Sequence, residues 1–137
     1  MYEKKIPLSL ECGLHLFKEL LNGKWKLMLL YYISEGYKRP SELQKKIPNA
    51  DRRVMDIQLK EMVLHGFIQK QSSPSKILKV EYGLLPLGQS LIPLIIEIEK
   101  WGENHRGELE NALVNDPKFD DVINFRVADT SEKQILQ

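Results

Sequence analysis

One cysteine, Cys12, stands among 137 residues. No disulfide can close within a single chain, and a thiol-rich metal site is excluded. No apolar run reaches the roughly 20 residues that span a bilayer. The longest stretch, residues 84–98, is broken by Pro86, Gly88, Gln89, Ser90, Pro93 and Glu97. The opening MYEKK leads into no apolar signal segment, so a cytoplasmic location without membrane association is expected. Repeats and low-complexity stretches are absent, as are a phosphate-cradling glycine run and a nucleophile–base motif. His15, His65 and His105 stand apart with no carboxylate or thiol at ligand spacing, which makes them surface or packing histidines. No metal, cofactor or enzymatic activity is expected.

Charge of one sign is also lacking on average: 20 Lys and Arg against 19 Asp and Glu, a net of +1. The average hides a split. Residues 1–80 hold fifteen Lys/Arg against eight Asp/Glu, a balance of +7, and residues 81–137 hold five against eleven, a balance of −6. A basic body followed by an acidic tail can supply phosphate contacts without being basic as a whole. Solvated faces of unlike sign account for the same numbers, so charge alone leaves function open. The hydrophobic share of 42% and charged share of 28% are ordinary for a globular chain. The length fits one domain with a modest core and room for a dimerisation element.

What is present is helical period. Leu10, Leu14, Phe17 and Leu21 recur at i, i+4, i+7 and i+11, widened by Leu16 and Leu20, and Asn22-Gly23 is a stop. A second helix is expected from Lys24 to Glu35-Gly36, with Trp25, Met28, Leu29, Tyr32 and Ile33 on one side. A short third helix spans residues 40–47, with Leu43 and Ile47 inward and Pro48-Asn49 closing it. The fourth follows Asp51, whose carboxylate caps the free N–H groups, and stops at Gly66 after His65. Then the period changes to two. Residues 67–71 and 78–82 read as strands around a loop at 72–76. One long helix is expected over residues 86–114, carrying Leu87, Leu91, Leu94, Ile95, Ile98 and Trp101, with a kink at Pro93. Asp116-Pro117 ends it, and residues 116–137 are expected to be a loosely ordered tail.

Helices, a basic hairpin and flanking helices predict an α+β, mostly α, winged helix-turn-helix over residues 1–115, with N- and C-terminal dimerisation helices. The fourth helix is the most informative element. Met55, Leu59 and Met62 fall at i, i+4 and i+7 on one docking face. Arg52, Arg53, Asp56, Ile57 and Lys60 then project from the other, as a helix entering the major groove of DNA requires. Arginines near its start can pair with guanine O6/N7 or bridge phosphates, and Ile57 can touch a thymine methyl. Ser41 on the third helix and Lys70, Lys76 and Lys79 on the hairpin complete the expected contacts with double-stranded DNA. An ordinary amphipathic helix with a solvated outside is the plainer reading of the fourth helix. Its place between a short helix and a basic hairpin favours the DNA reading.

Cys12, Gly23-Lys24-Trp25-Lys26, Arg39-Pro40-Ser41-Glu42-Leu43, Gln58-Leu59-Lys60-Glu61-Met62, Gly66-Phe67-Ile68, Val80-Glu81-Tyr82 and Leu87-Gly88 occur in this order. Together they resemble the HxlR-type family of bacterial transcription regulators, relatives of the MarR winged-helix group, over about residues 10–102. The resemblance implies a homodimer on an inverted-repeat operator, with the fourth helix on bases and the Lys70–Lys79 wing on backbone or minor groove. It also implies sensing of oxidants or electrophiles through a cysteine near the N-terminus, a position that Cys12 matches thirteen residues before Trp25. A reactive cysteine must be accessible and its thiolate favoured. Lys18, His15 and a helix start favour it, while Glu11 opposes it. Gly13 stands where the family often has proline, and the second cysteine of several redox-responding members is missing. Oxidation then leaves a Cys12–Cys12′ bridge, a mixed disulfide with a low-molecular-weight thiol, or alkylation by a small electrophile. A half-buried packing role for Cys12 stands beside the sensing one. Leu85-Pro86 replaces the family's polar pair before Leu87-Gly88, and Pro86 suits a first helical turn. Glu97, Glu99, Glu103, Glu108 and Glu110 read as a solvated face, and Trp25 and Trp101 as core packing rather than a ligand pocket. The rival function is a winged-helix protein-interaction module without DNA binding.

Overall fold

The computed structural model describes residues 10–72 and 79–119. The chain divides into two compact units, residues 1–96 and 97–137, each taken by itself. In the first, α1 (Gly13–Leu21), α2 (Lys26–Ser34), α3 (Pro40–Lys46) and α4 (Arg52–Leu64) lead to an antiparallel hairpin, β1 (Ile68–Ser72) and β2 (Val80–Leu84). Helix α5 (Pro86–Asn104) begins there. This is the element order of a winged helix-turn-helix.

The core forms where α2, α3, α4 and the hairpin meet, with Leu29, Leu30, Leu43, Met55, Leu59, Met62 and Ile68 fully buried. The inward faces of α3 and α4 are those the spacing predicts. That of α2 is not: Met28 is exposed and Leu30 is buried in its place. Apolar residues surround α2, so its period cannot select a single face.

The turn between α3 and α4 is held from inside. The Gln44 side-chain amide donates to the carbonyls of Ile47 (3.2 Å) and Ala50 (2.9 Å), while Ile47 and Ala50 are buried. Asp51 then caps α4, accepting from the backbone N–H of Arg53 (2.8 Å) and of Val54 (3.2 Å). Gly66 ends the helix at φ 82°, a left-handed position that favours glycine.

The strands sit later than the expected 67–71 and 78–82, in the register Ile68↔Leu84 to Ser72↔Val80. Phe67 is spent on closing the turn. Its N–H bonds the Met62 carbonyl at 3.0 Å, and its carbonyl accepts from Leu85 N–H at 3.0 Å. The second edge of β2 is paired as well, through Tyr82 N–H to the Lys38 carbonyl at 2.8 Å. Lys76 and most of the expected loop lie outside the described residues, as does the tail beyond residue 119.

Helix α1 buries only Leu21, and Leu14 is 73% exposed. Within the first unit α5 buries Gly88 and Ile95 but leaves Leu87, Leu94 and Ile96 outside. In the second unit one helix was expected and two form: α5 ends at Asn104, and α6 (Arg106–Val114) follows. The helix passes through Pro93 and breaks at His105, where φ is −111° and ψ 19°. Gly102, Asn104 and Gly107 bracket the break, all poor helix formers, and together they outweigh the single proline inside α5. Arg106 bonds Glu103 and Glu110 on either side of it, Glu108 approaches His105, and Glu97 approaches Lys100. The acidic residues there are therefore partly spent on local pairs. Trp101 is 55% exposed, against the expectation of core packing, while Trp25 is partly buried on the core.

Candidate nucleic-acid interface

Burial of Met55, Gln58, Leu59 and Met62 turns the opposite side of α4 outward. Arg52, Arg53, Asp56, Ile57 and Lys60 line one shallow, open depression there. Among the described residues neither Arg53 nor Lys60 is held in an ion pair. Arg52 is: its Nε lies 3.1 Å from Asp56 Oδ1, one turn along the same helix. The first turn of α4 holds no acidic residue and two arginines. Cations at a helix N-terminus oppose the macrodipole, so helix stability does not account for them.

A second groove joins this face to the wing. Arg52, Asp56 and Lys60 of α4 line it with Lys70 of β1, Tyr82 of β2 and Pro40 at the start of α3. Lys70 and Lys79 are exposed, and so is Ser41 on the first turn of α3. Arg39 approaches Glu81 at 3.5 Å, tying the start of α3 to β2. Thus Arg52, Asp56 and Lys60 share one groove with Lys70, and Arg53 and Ile57 lie in the adjoining depression on α4. Ser41 is exposed on α3 beside Pro40 without lining either. Lys79 lies beside β2, and Lys76 falls outside the described residues.

Tyr82, visible in the sequence only as a strand residue of the Val80-Glu81-Tyr82 motif and not as a site residue, lines the groove. Burial pushes its phenol above the usual tyrosine range; the Asp56 charge adds to this and Arg52 opposes it. Lys45 lines neither groove. It is exposed on α3 one turn after Ser41, at i, i+4 spacing. Lys46 lies over the Tyr37 ring, 4.5 Å from its centroid.

Behind α4 two polar side chains are buried, Lys26 and Gln58. Gln58 Oε1 accepts from Trp25 N–H at 2.8 Å, and Lys26 Nζ donates to Leu20 O (2.9 Å) and Glu61 Oε2 (2.8 Å). A Cβ on Gly23 would meet Lys26 Cγ at 2.7 Å and Gln58 Cδ at 2.8 Å. The motifs around Gly23-Lys24-Trp25-Lys26 and Gln58-Leu59-Lys60-Glu61 therefore dock into each other and hold the outward face of α4 in place.

The sequence profile of the HxlR-like helix-turn-helix family matches residues 20–110. The chain belongs to this HxlR-like family. Its members are transcriptional regulators, and the relatives agree. The HTH-type transcriptional regulator YybR of Bacillus subtilis is 33% identical over 122 residues, 85% of this chain and 98% of that protein. Among solved structures, the redox regulator HypR in its reduced form superposes with a TM-score of 0.67 at 30% identity, over 73% of this chain and 99% of HypR. The HTH-type regulator ytcD gives 0.65 at 32% identity, over 70% and 98%. As an HxlR-like protein the chain has its helix-turn-helix in α3 and α4 and its wing in β1 and β2. Cys12 is the exposed N-cap residue of α1, not a half-buried packing residue. Among the described residues no group of His, Cys, Asp and Glu could hold a metal ion, and no helix is long and apolar enough to cross a membrane.

Proposed function

We propose that this HxlR-like regulator binds an inverted-repeat operator as a homodimer, with α4 of each protomer in a major groove. The observation that carries the reading is the open α4 face, where Arg53 and Lys60 point outward with no ion pair among the described residues. Arg53 reads a base, Ile57 meets a thymine methyl, and Lys60, Ser41, Lys70, Lys76 and Lys79 meet the backbone. The dimer contact falls to the apolar residues of α1 and α5 that this chain leaves exposed, Leu14, Leu16, Leu87 and Leu94 among them. Residues 1–115 form the working body, residues 116–137 are a tail, and the setting is the cytoplasm.

Arg53→Ala is expected to weaken binding to a footprinted operator by about 2 kcal/mol, while random duplex is bound nearly as before. Equal operator binding by variant and parent would remove the base-reading role. A protein-docking module, the rival reading, would hold duplex DNA weakly at any salt, whereas an operator binder weakens steeply as salt rises.

Regulation is read at Cys12. It is exposed, it opens α1, and a relative at 30% identity is a redox regulator. With no second cysteine, the two-fold partner's Cys12 or a small thiol or electrophile completes the reaction. Diamide treatment is expected to lower operator affinity, and Cys12→Ser to abolish the response. An unchanged response in Cys12→Ser would rule the thiol out.

A further inference from the structure

The Arg52 Nε–H is shared between both carboxylate oxygens of Asp56, at 3.1 and 3.3 Å. Both side chains are about half exposed, 51% and 53%, and an exposed i, i+4 pair adds little to stability. A carboxylate on a surface facing a polyanion also lowers affinity. Neither stability nor affinity explains Asp56. Discrimination does.

The ion pair uses only Nε of the guanidinium. The terminal nitrogens have no partner among the described residues, and each carboxylate oxygen keeps a free lone pair. Side by side, the two groups therefore offer N–H donors and then an acceptor. The major-groove edge of a G·C pair is the complement: guanine N7 and O6 accept, and cytosine N4 donates. An A·T pair presents acceptor, donor and acceptor, which sets thymine O4 or adenine N7 against the carboxylate. The pair stands beside Arg53, Ile57 and Lys60, in the groove that Lys70 and Tyr82 share.

We propose that Arg52 and Asp56 act as one unit that reads a single G·C base pair in each half-site, Arg52 through guanine and Asp56 through cytosine N4. This rests on the operator reading above and goes further by naming the base pair. The test is selection from a pool of randomised duplexes by the full chain and its Asp56→Ala and Asp56→Asn variants, with affinity for random-sequence duplex measured alongside. The parent is expected to enrich a half-site with a G·C pair favoured roughly tenfold or more at one position. Asp56→Ala loses that preference while its affinity for random duplex rises several-fold, and the salt slope steepens by about one contact. Asp56→Asn moves the preference toward adenine, whose N6 and N7 a carboxamide matches. A merely structural Asp56 would lower specific and random binding together. That result, or variants enriching the parent's sequence at every position, overturns the proposal and leaves operator binding standing. A parent that enriches nothing overturns both.

Discussion

Gly88→Ala should destabilise the protein by about 3 kcal/mol, measured as a fall in chemical denaturation midpoint at unchanged slope. Helix propensity alone predicts the opposite sign, since alanine is favoured over glycine inside a helix by about 1 kcal/mol. Contact decides it. A Cβ at Gly88 would lie 2.2 Å from the Phe67 carbonyl oxygen, 3.2 Å from its carbon and 3.3 Å from Leu84 Cδ2. The nearest atoms are backbone and cannot swing aside. That oxygen already accepts the Leu85 N–H at 3.0 Å, so relief requires the start of α5 to move off the hairpin. Because β1 begins at the next residue, wing-dependent affinity for duplex DNA should fall with stability. A variant as stable as the parent would mean that α5 does not approach Phe67 this closely.

Gly88 also shows how far the sequence could be read. Leu87-Gly88 was visible as a motif, but the reason for the glycine is a carbonyl twenty-one residues earlier, which no local pattern reveals. Helix α4 was legible because it has one apolar stripe, one cap and one polar face, each with its own signal. Helix α2 has no polar side, so Met28 and Leu30 could not be sorted. The α5–α6 break was missed because Pro93 is a louder marker than the weak helix formers around His105. Along α1 the spacing identified a helix, yet spacing cannot say which body its stripe will cover: Leu10, Leu14 and Leu16 are exposed here, while Phe17, Leu20 and Leu21 pack on the core. At the site, the five outward residues of α4 followed from the period alone. The Arg52–Asp56 bond needed side-chain rotamers, and the wing register needed the Tyr82–Lys38 bond, which joins residues far apart in the chain.

The buried ammonium behind α4 leads to the other large effect, and the order of two variants tests it. Lys26 is only 3% exposed, whereas the Glu61 side chain is 45% exposed. Deleting the more exposed partner should cost more. Glu61→Ala leaves the Lys26 charge out of water with only the Leu20 carbonyl beside it, and stranding a buried charge costs roughly 3–5 kcal/mol. Partial solvent access near Glu61 puts the expected loss at the low end, about 3 kcal/mol. Lys26→Met keeps the packed stem and removes the charge that needed a partner. Glu61 can then turn to water, and the chief loss is the hydrogen bond to Leu20, about 1 kcal/mol. Denaturation of both variants should give Glu61→Ala as the less stable. The reverse order would mean that water reaches the ammonium and that the pair is a surface one. The consequence reaches the interface, because Gln58 and Glu61 are the α4 residues that bond Trp25 and Lys26. Loss of that anchor frees the back of the helix whose front carries Arg53 and Lys60, so Glu61→Ala should also blunt discrimination between operator and random duplex, although Glu61 contacts no base.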